Sequence, residues 1–238
     1  NTVIPYASGE YHALRPRLAI PRDQVLQLDE KSGLHPSLQP VLPLWEAKEL
    51  AIIQGLGYPQ PNLSHFRSIE IWDTASHSTE YLADGWLARA FAHAPAPKSY
   101  AADGVVIGTA ALGPMAGQGA RAIALTNTEQ FLRQARLAAP SAATRSGALN
   151  HILKVESNIV QAAGNLTGDY AFRTEFPRTP FGNAIRTTSQ VVASKAGVAA
   201  IKVSLNGFDT HSGQQGTQAR LLRELAEGMV ALKGALTE

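Results

Sequence analysis

One change of hydrophobic period, between Val198 and Leu232, constrains the fold of this chain more than any other feature. Residues 198–205 form an apolar run of strand length, broken at Gly207. Beyond His211, the residues Ala219, Leu222, Leu225, Ala226, Met229 and Leu232 fall on one side of a helix. A strand that feeds a helix is half of an α/β unit, so the chain is read as an α/β protein. Between the two stands Asn206-Gly207-Phe208-Asp209-Thr210-His211. In open α/β sheets ligands bind beyond the carboxyl ends of the strands, and in extended backbone positions i and i+2 share a side. Asp209 and His211 can therefore converge on one ion or one substrate. The alternative is local: Asp209 and Thr210 make an Asx-type turn and cap the following helix, and His211 lies on the surface.

The same alternation is expected upstream. The first forty residues are rich in proline and read as irregular, with short extended pieces at 18–21 and 25–28. A helix is expected over 38–49, with Pro40 and Pro43 in its first turns, then a strand over 50–56. Residues 64–75 read as a helix with Phe66, Ile69 and Trp72 or Asp73 along its inner side. Residues 84–93 read as another, with Trp86, Leu87, Ala90 and Phe91 inward. Strands are expected over 104–109 and 120–125, separated by a Gly/Pro loop at 113–119. Helices follow over 127–137, from Pro140 to Gly164, and over 181–196.

At 238 residues, with 45% hydrophobic and 17% charged side chains, the composition is that of a globular chain with one sizeable core. A single domain is expected over 1–238. The net charge of +2, with no dense Lys/Arg run, gives no reason to expect nucleic acid as a ligand. No apolar stretch has the length of about 20 residues that a membrane span requires. Without cysteine the chain has neither a disulfide framework nor a thiol nucleophile.

The second constellation is Pro59-Gln60-Pro61-Asn62-Leu63-Ser64-His65-Phe66-Arg67, a proline-braced loop that runs into a helix. It sets Ser64 near a helix amino terminus, where free N–H groups and the macrodipole favour an anion or the developing oxyanion of a serine nucleophile. Asn62 can donate to the same anion. The competing reading is that Asn62 or Ser64 is simply the N-cap. His65 gains no catalytic role from its spacing, since adjacent helical residues point in different directions. His35, before Pro36, marks a loop into a helix, and His12, His77, His93 and His151 lack partners at ligand spacing. Gly113, Gly117 and Gly119 lack the Gly-Lys-Ser/Thr ending of a phosphate loop and are read as a flexible loop or lid. No Gly-x-Ser-x-Gly elbow is present.

Taken in order, Asn1-Thr2-Val3-Ile4-Pro5-Tyr6 with Tyr11 and Arg15-Pro16, Gly33-Leu34-His35-Pro36, Pro61-Asn62-Leu63-Ser64-His65-Phe66 with Trp72, and Gly207-Phe208-Asp209-Thr210-His211-Ser212 with Gln214 resemble the bacterial family called domain of unknown function 1501. That family is grouped with the alkaline phosphatase and sulfatase superfamily. The resemblance implies a three-layer α/β/α sandwich with a mostly parallel central sheet, holding divalent metal (zinc, manganese, calcium or magnesium) at its carboxyl edge. Mapped by motif, Ser64 takes the nucleophile position, Asn62 and His65 contact substrate, and Asp209 and His211 ligate the metal. The implied activity is hydrolysis of a phosphate or sulfate ester, with a small anionic ester or a sulfated or phosphorylated glycan as partner. A non-catalytic protein binding an anionic glycan or a protein partner on the same fold is the alternative.

The resemblance departs at both ends. An Asp-Gly-Leu strand end before the position of Asn1, and Glu-Phe-Gly-Arg and Thr-Asp-His-Gly segments after the last helix, are usual in the family and do not occur here. The expectation is an incomplete domain with about half of a metal site, whose exposed sheet edges favour a homo-oligomer. The twin-arginine export signal common in the family implies a periplasmic or secreted location.

Overall fold

The computed structural model describes residues 1–126 and 170–238. They form a mixed α/β structure of two compact units, Asn1–Ile53 with Arg173–Ile185 and Leu205–Glu238, and Gln54–Phe172 with Arg186–Ser204. The expected helices over 127–137 and 140–164 lie outside the described residues.

The first unit opens with β1 (Val3–Ile4), α1 (Gly9–Leu14), β2 (Leu26–Gln27) and β3 (Gly33–Leu34). The strands make a small antiparallel sheet in the order β1-β3-β2. Ser8 caps α1 by accepting from the Tyr11 N–H, and Asp29 Oδ1 closes the β2–β3 turn by accepting from the N–H groups of Lys31 and Ser32. These are ordered elements where the sequence suggested irregular chain; of the two extended pieces expected there, only 25–28 contains a strand. The missed signals were caps and Asx turns, which set local structure without hydrophobic period.

A 3-10 helix, Pro36–Val41, then passes into the short α2 (Leu42–Glu46). Pro40 and Pro43 lack the N–H groups that a continuous α-helix needs, which explains why the expected helix over 38–49 is broken into two short pieces. Leu34, Leu38 and Val41 pack against Leu222 and Ala226 of the terminal helix, α6 (Gln214–Leu236). Small residues let that helix approach its neighbours closely. A Cβ on Gly228 would stand 2.6 Å from the Phe181 ring, at the start of α5 (Pro180–Ala193). At the far end the Glu238 carboxylate accepts from the Arg173 and Thr174 N–H groups at 2.8 and 2.7 Å.

The second unit is built on a parallel sheet of β4 (Ala102–Ile107), β5 (Ala122–Leu125) and β6 (Val198–Val203), in the order β5-β4-β6. Every residue of the central β4 is buried, as expected of a parallel strand covered on both faces. Its one charge, Asp103, is met by Arg121 before β5, through the Arg121 N–H at 2.8 Å and its guanidinium at 2.6 Å. Gly104 leaves room for Met115, whose sulfur occupies the space a Cβ would take. Two helices, α3 (His65–Thr74) and α4 (Trp86–His93), belong to this unit.

Three expectations are corrected. Residues 50–56 form no strand: Gly55 turns the chain at φ +72°, Leu50 and Ile52 pack into the first unit's core, and Ile53 and Leu56 are exposed. Helix α3 is rotated from its expected orientation, burying Arg67, Ile71 and Thr74 and exposing Phe66, Ile69 and Trp72. The 113–119 loop is closely packed: Met115 is buried, and Cβ atoms on Gly85 and Gly119 would strike the Pro114 and Ala88 carbonyls.

Candidate functional site

The loop before α3 is pinned by side chains. Tyr58 Oη accepts from the Asn62 N–H at 3.1 Å and shares a hydrogen bond with Ser68 Oγ one turn into the helix. Between Pro59 and Pro61 the backbone of Gln60 takes the left-handed conformation, φ +54°, which steers the chain toward the helix axis. The Ser64 N–H donates to Asn62 Oδ1 at 2.9 Å, closing an Asx turn. Ser64 holds the N-cap position, yet its side chain makes no capping hydrogen bond. Asn62 thus fixes the backbone, and the serine hydroxyl is not spent on the cap.

Asn62 and Ser64 line an open cavity of about 610 Å³ together with Phe66, Arg67, Ile69, Glu70, Asp73 and Tyr81. His65, the first residue of α3, lies outside that lining. Arg67 organises the wall. It is only 8% exposed, donates to Glu70 Oε2 at 2.7 Å and to the Glu80 carbonyl, and lies 3.9 Å from the Tyr81 ring centroid. Its Nε is buried without a hydrogen-bond partner. Asp73 stands 3.9 Å from Lys202 Nζ of β6.

Asp209 and His211 belong to the other unit. Gly207, at φ +101°, turns the chain after β6, and Asp209 Oδ1 comes within 3.4 Å of His211 Nε2 on an exposed loop. Gly213 holds the N-cap position of α6, which no side chain caps, so Asp209 and Thr210 do not serve as that cap. A carboxylate and an imidazole are suitable donors for zinc or manganese, and they stand close together. They are two donors where a divalent ion ordinarily has three or four protein ligands, and among the described residues no group of three or more His, Cys, Asp or Glu is assembled.

Compared with known proteins, the chain matches the family model described as "Protein of unknown function (DUF1501)" over residues 31–238. The chain belongs to this family. No curated protein and no solved structure matches it.

For this DUF1501 chain, the sequence singles out Asn62, Ser64, Asp209 and His211 and gives no role to Tyr58, Arg67, Glu70, Asp73 or Tyr81. The Arg67/Glu70 spacing of three, one turn after Ser64, was the available signal, since such pairs share a helix face. Tyr81 had none, because the loop that carries it is brought to α3 by backbone carbonyls. His35 has a structural role in the first unit: its Nδ1 accepts from the Ser37 N–H at 3.1 Å, and burial holds its pKa below the ordinary histidine value.

Proposed function

We propose that this chain is a metal-dependent hydrolase of phosphate or sulfate esters on an alkaline phosphatase-like fold, with Ser64 as nucleophile, Asn62 and His65 contacting the substrate, and Asp209 and His211 as metal ligands. The observation that carries the reading is the Ser64 hydroxyl, set at the start of a ten-residue helix, uncommitted to its cap and lining a cavity. There the first helical N–H groups and the macrodipole favour the charge of an approaching ester and of a developing oxyanion. Ser64 Oγ forms a bond to phosphorus or sulfur as the ester oxygen leaves with a proton; water then attacks the same atom, releasing the anion and restoring the serine. A bound divalent ion supplies charge neutralisation in such displacements.

The test is elemental analysis of protein purified without chelator, with Asp209→Ala and His211→Ala beside it. Stoichiometric divalent metal in the wild type, lost in both variants while they remain folded, is the expected result. Full occupancy in both variants would refute the ligand assignment. Under the alternative reading, a non-catalytic exported protein that binds an anionic glycan or a protein partner, Ser64→Ala keeps full binding of a sulfated sugar that the wild type never turns over.

A further inference from the structure

The cavity beside Ser64 has an unusual wall for a site that receives an anion. Phe66 is 88% exposed, Tyr81 is 75% exposed and Ile69 is also exposed, so three largely apolar side chains line an open concavity. Tyr81 is backed on one side by the Arg67 guanidinium at 3.9 Å, and that guanidinium is fixed by Glu70 and by the carbonyls of residues 77, 78 and 80. A ring supported on one face and open on the other is a stacking platform that loses little entropy when it is used.

The two carboxylates in the cavity complete the pattern. Glu70 is engaged by Arg67 through Oε2, and Asp73 faces Lys202 through Oδ1. Both charges are offset inside the protein, so the cavity neither calls for a cation nor offers an unpaired cation to a second anionic group. Each carboxylate keeps acceptor capacity in its other oxygen, and acceptors of this kind suit hydroxyl groups. Open aromatic faces beside balanced carboxylate acceptors match a molecule with an apolar face and a hydroxylated edge.

We infer that the cavity binds a neutral sugar ring, stacked on Tyr81 and Phe66 with hydroxyls donating to Glu70 and Asp73, as the non-reacting part of the ester presented to Ser64. The inference rests on the hydrolase reading for the last clause only; the sugar site stands on the cavity itself.

The experiment is titration of the full chain with maltose, cellobiose, mannobiose and xylobiose, followed by saturation-transfer NMR. It is run on wild type, Tyr81→Ala and Glu70→Gln. At least one disaccharide is expected to bind, at least tenfold more weakly to Tyr81→Ala. Glu70→Gln removes the carboxylate charge and keeps an amide acceptor; weaker sugar binding with an unchanged melting curve is the expected result, and unchanged binding would count against the Glu70 contact. Binding of none of the four sugars, or equal binding by Tyr81→Ala, overturns the inference. Turnover of a sugar-free aryl phosphate without sugar binding would overturn this inference and leave the hydrolase reading intact. Sugar binding without turnover of any ester would do the reverse.

Discussion

Ser64, Asn62 and His35 show how much depends on single hydrogen bonds. If the Ser64 hydroxyl capped α3, its removal would cost about 1 kcal/mol. Because it makes no such bond, Ser64→Ala is expected to change stability by less than about 0.5 kcal/mol, checked by urea denaturation. Asn62→Ala should cost more, since the Asx turn is lost. His35 gives a pH dependence with a definite sign. Burial lowers its folded-state pKa, so between that value and about 6.5 the unfolded chain binds a proton that the folded chain does not. Its contribution is complete above about pH 6.5 and is lost as pH falls through the window. The urea midpoint should drop from pH 7.5 to 5.5 and drop less in His35→Asn. Asp103 acts in a separate, more acidic range: burial opposes its ionisation, but the Arg121 hydrogen bonds prevail and hold its carboxyl below the usual value.

Among elements, those with a sustained period were legible and those set by local chemistry were not. The terminal helix, α5 and the strands at β4, β5 and β6 were read within a few residues, because burial on one or both faces imposes a pattern. The segment 50–56 is apolar enough for a strand, but Gly55 interrupts it and its apolar side chains divide between core and solvent. Helix α3 was placed correctly, yet its face was misassigned: Arg67 is the buried residue, and a charge is not recognised as core until its partners are known. Packing predictions follow. Gly104→Ala should destabilise by about 1–3 kcal/mol through collision with Met115, and the double variant with Met115→Ala should be less than additive in a thermal-melt cycle. Leu222→Ala, in the core against the 3-10 helix, should cost about 2–5 kcal/mol.

At the scale of the whole molecule, the four residues singled out by motif fall into two units: Asn62 and Ser64 in one, Asp209 and His211 in the other. Within each unit the two residues lie close together, through a 2.9 Å hydrogen bond that closes a local turn and a 3.4 Å contact on an exposed loop. Sequence made these pairs visible because each lies within three residues. The cavity around Ser64 was not visible, since Tyr81 reaches it only through the fold. No helix among the described residues is long and apolar enough to cross a membrane. The central claim is that Ser64 is the nucleophile of an ester hydrolase, and the most direct measurement is the turnover of 4-nitrophenyl phosphate and 4-nitrophenyl sulfate with added zinc, manganese, magnesium or calcium. The account predicts turnover of at least one ester by the wild type, reduced by about 1000-fold or more in a folded Ser64→Ala variant. Equal turnover by the two proteins, or none by either with any ion, would contradict it.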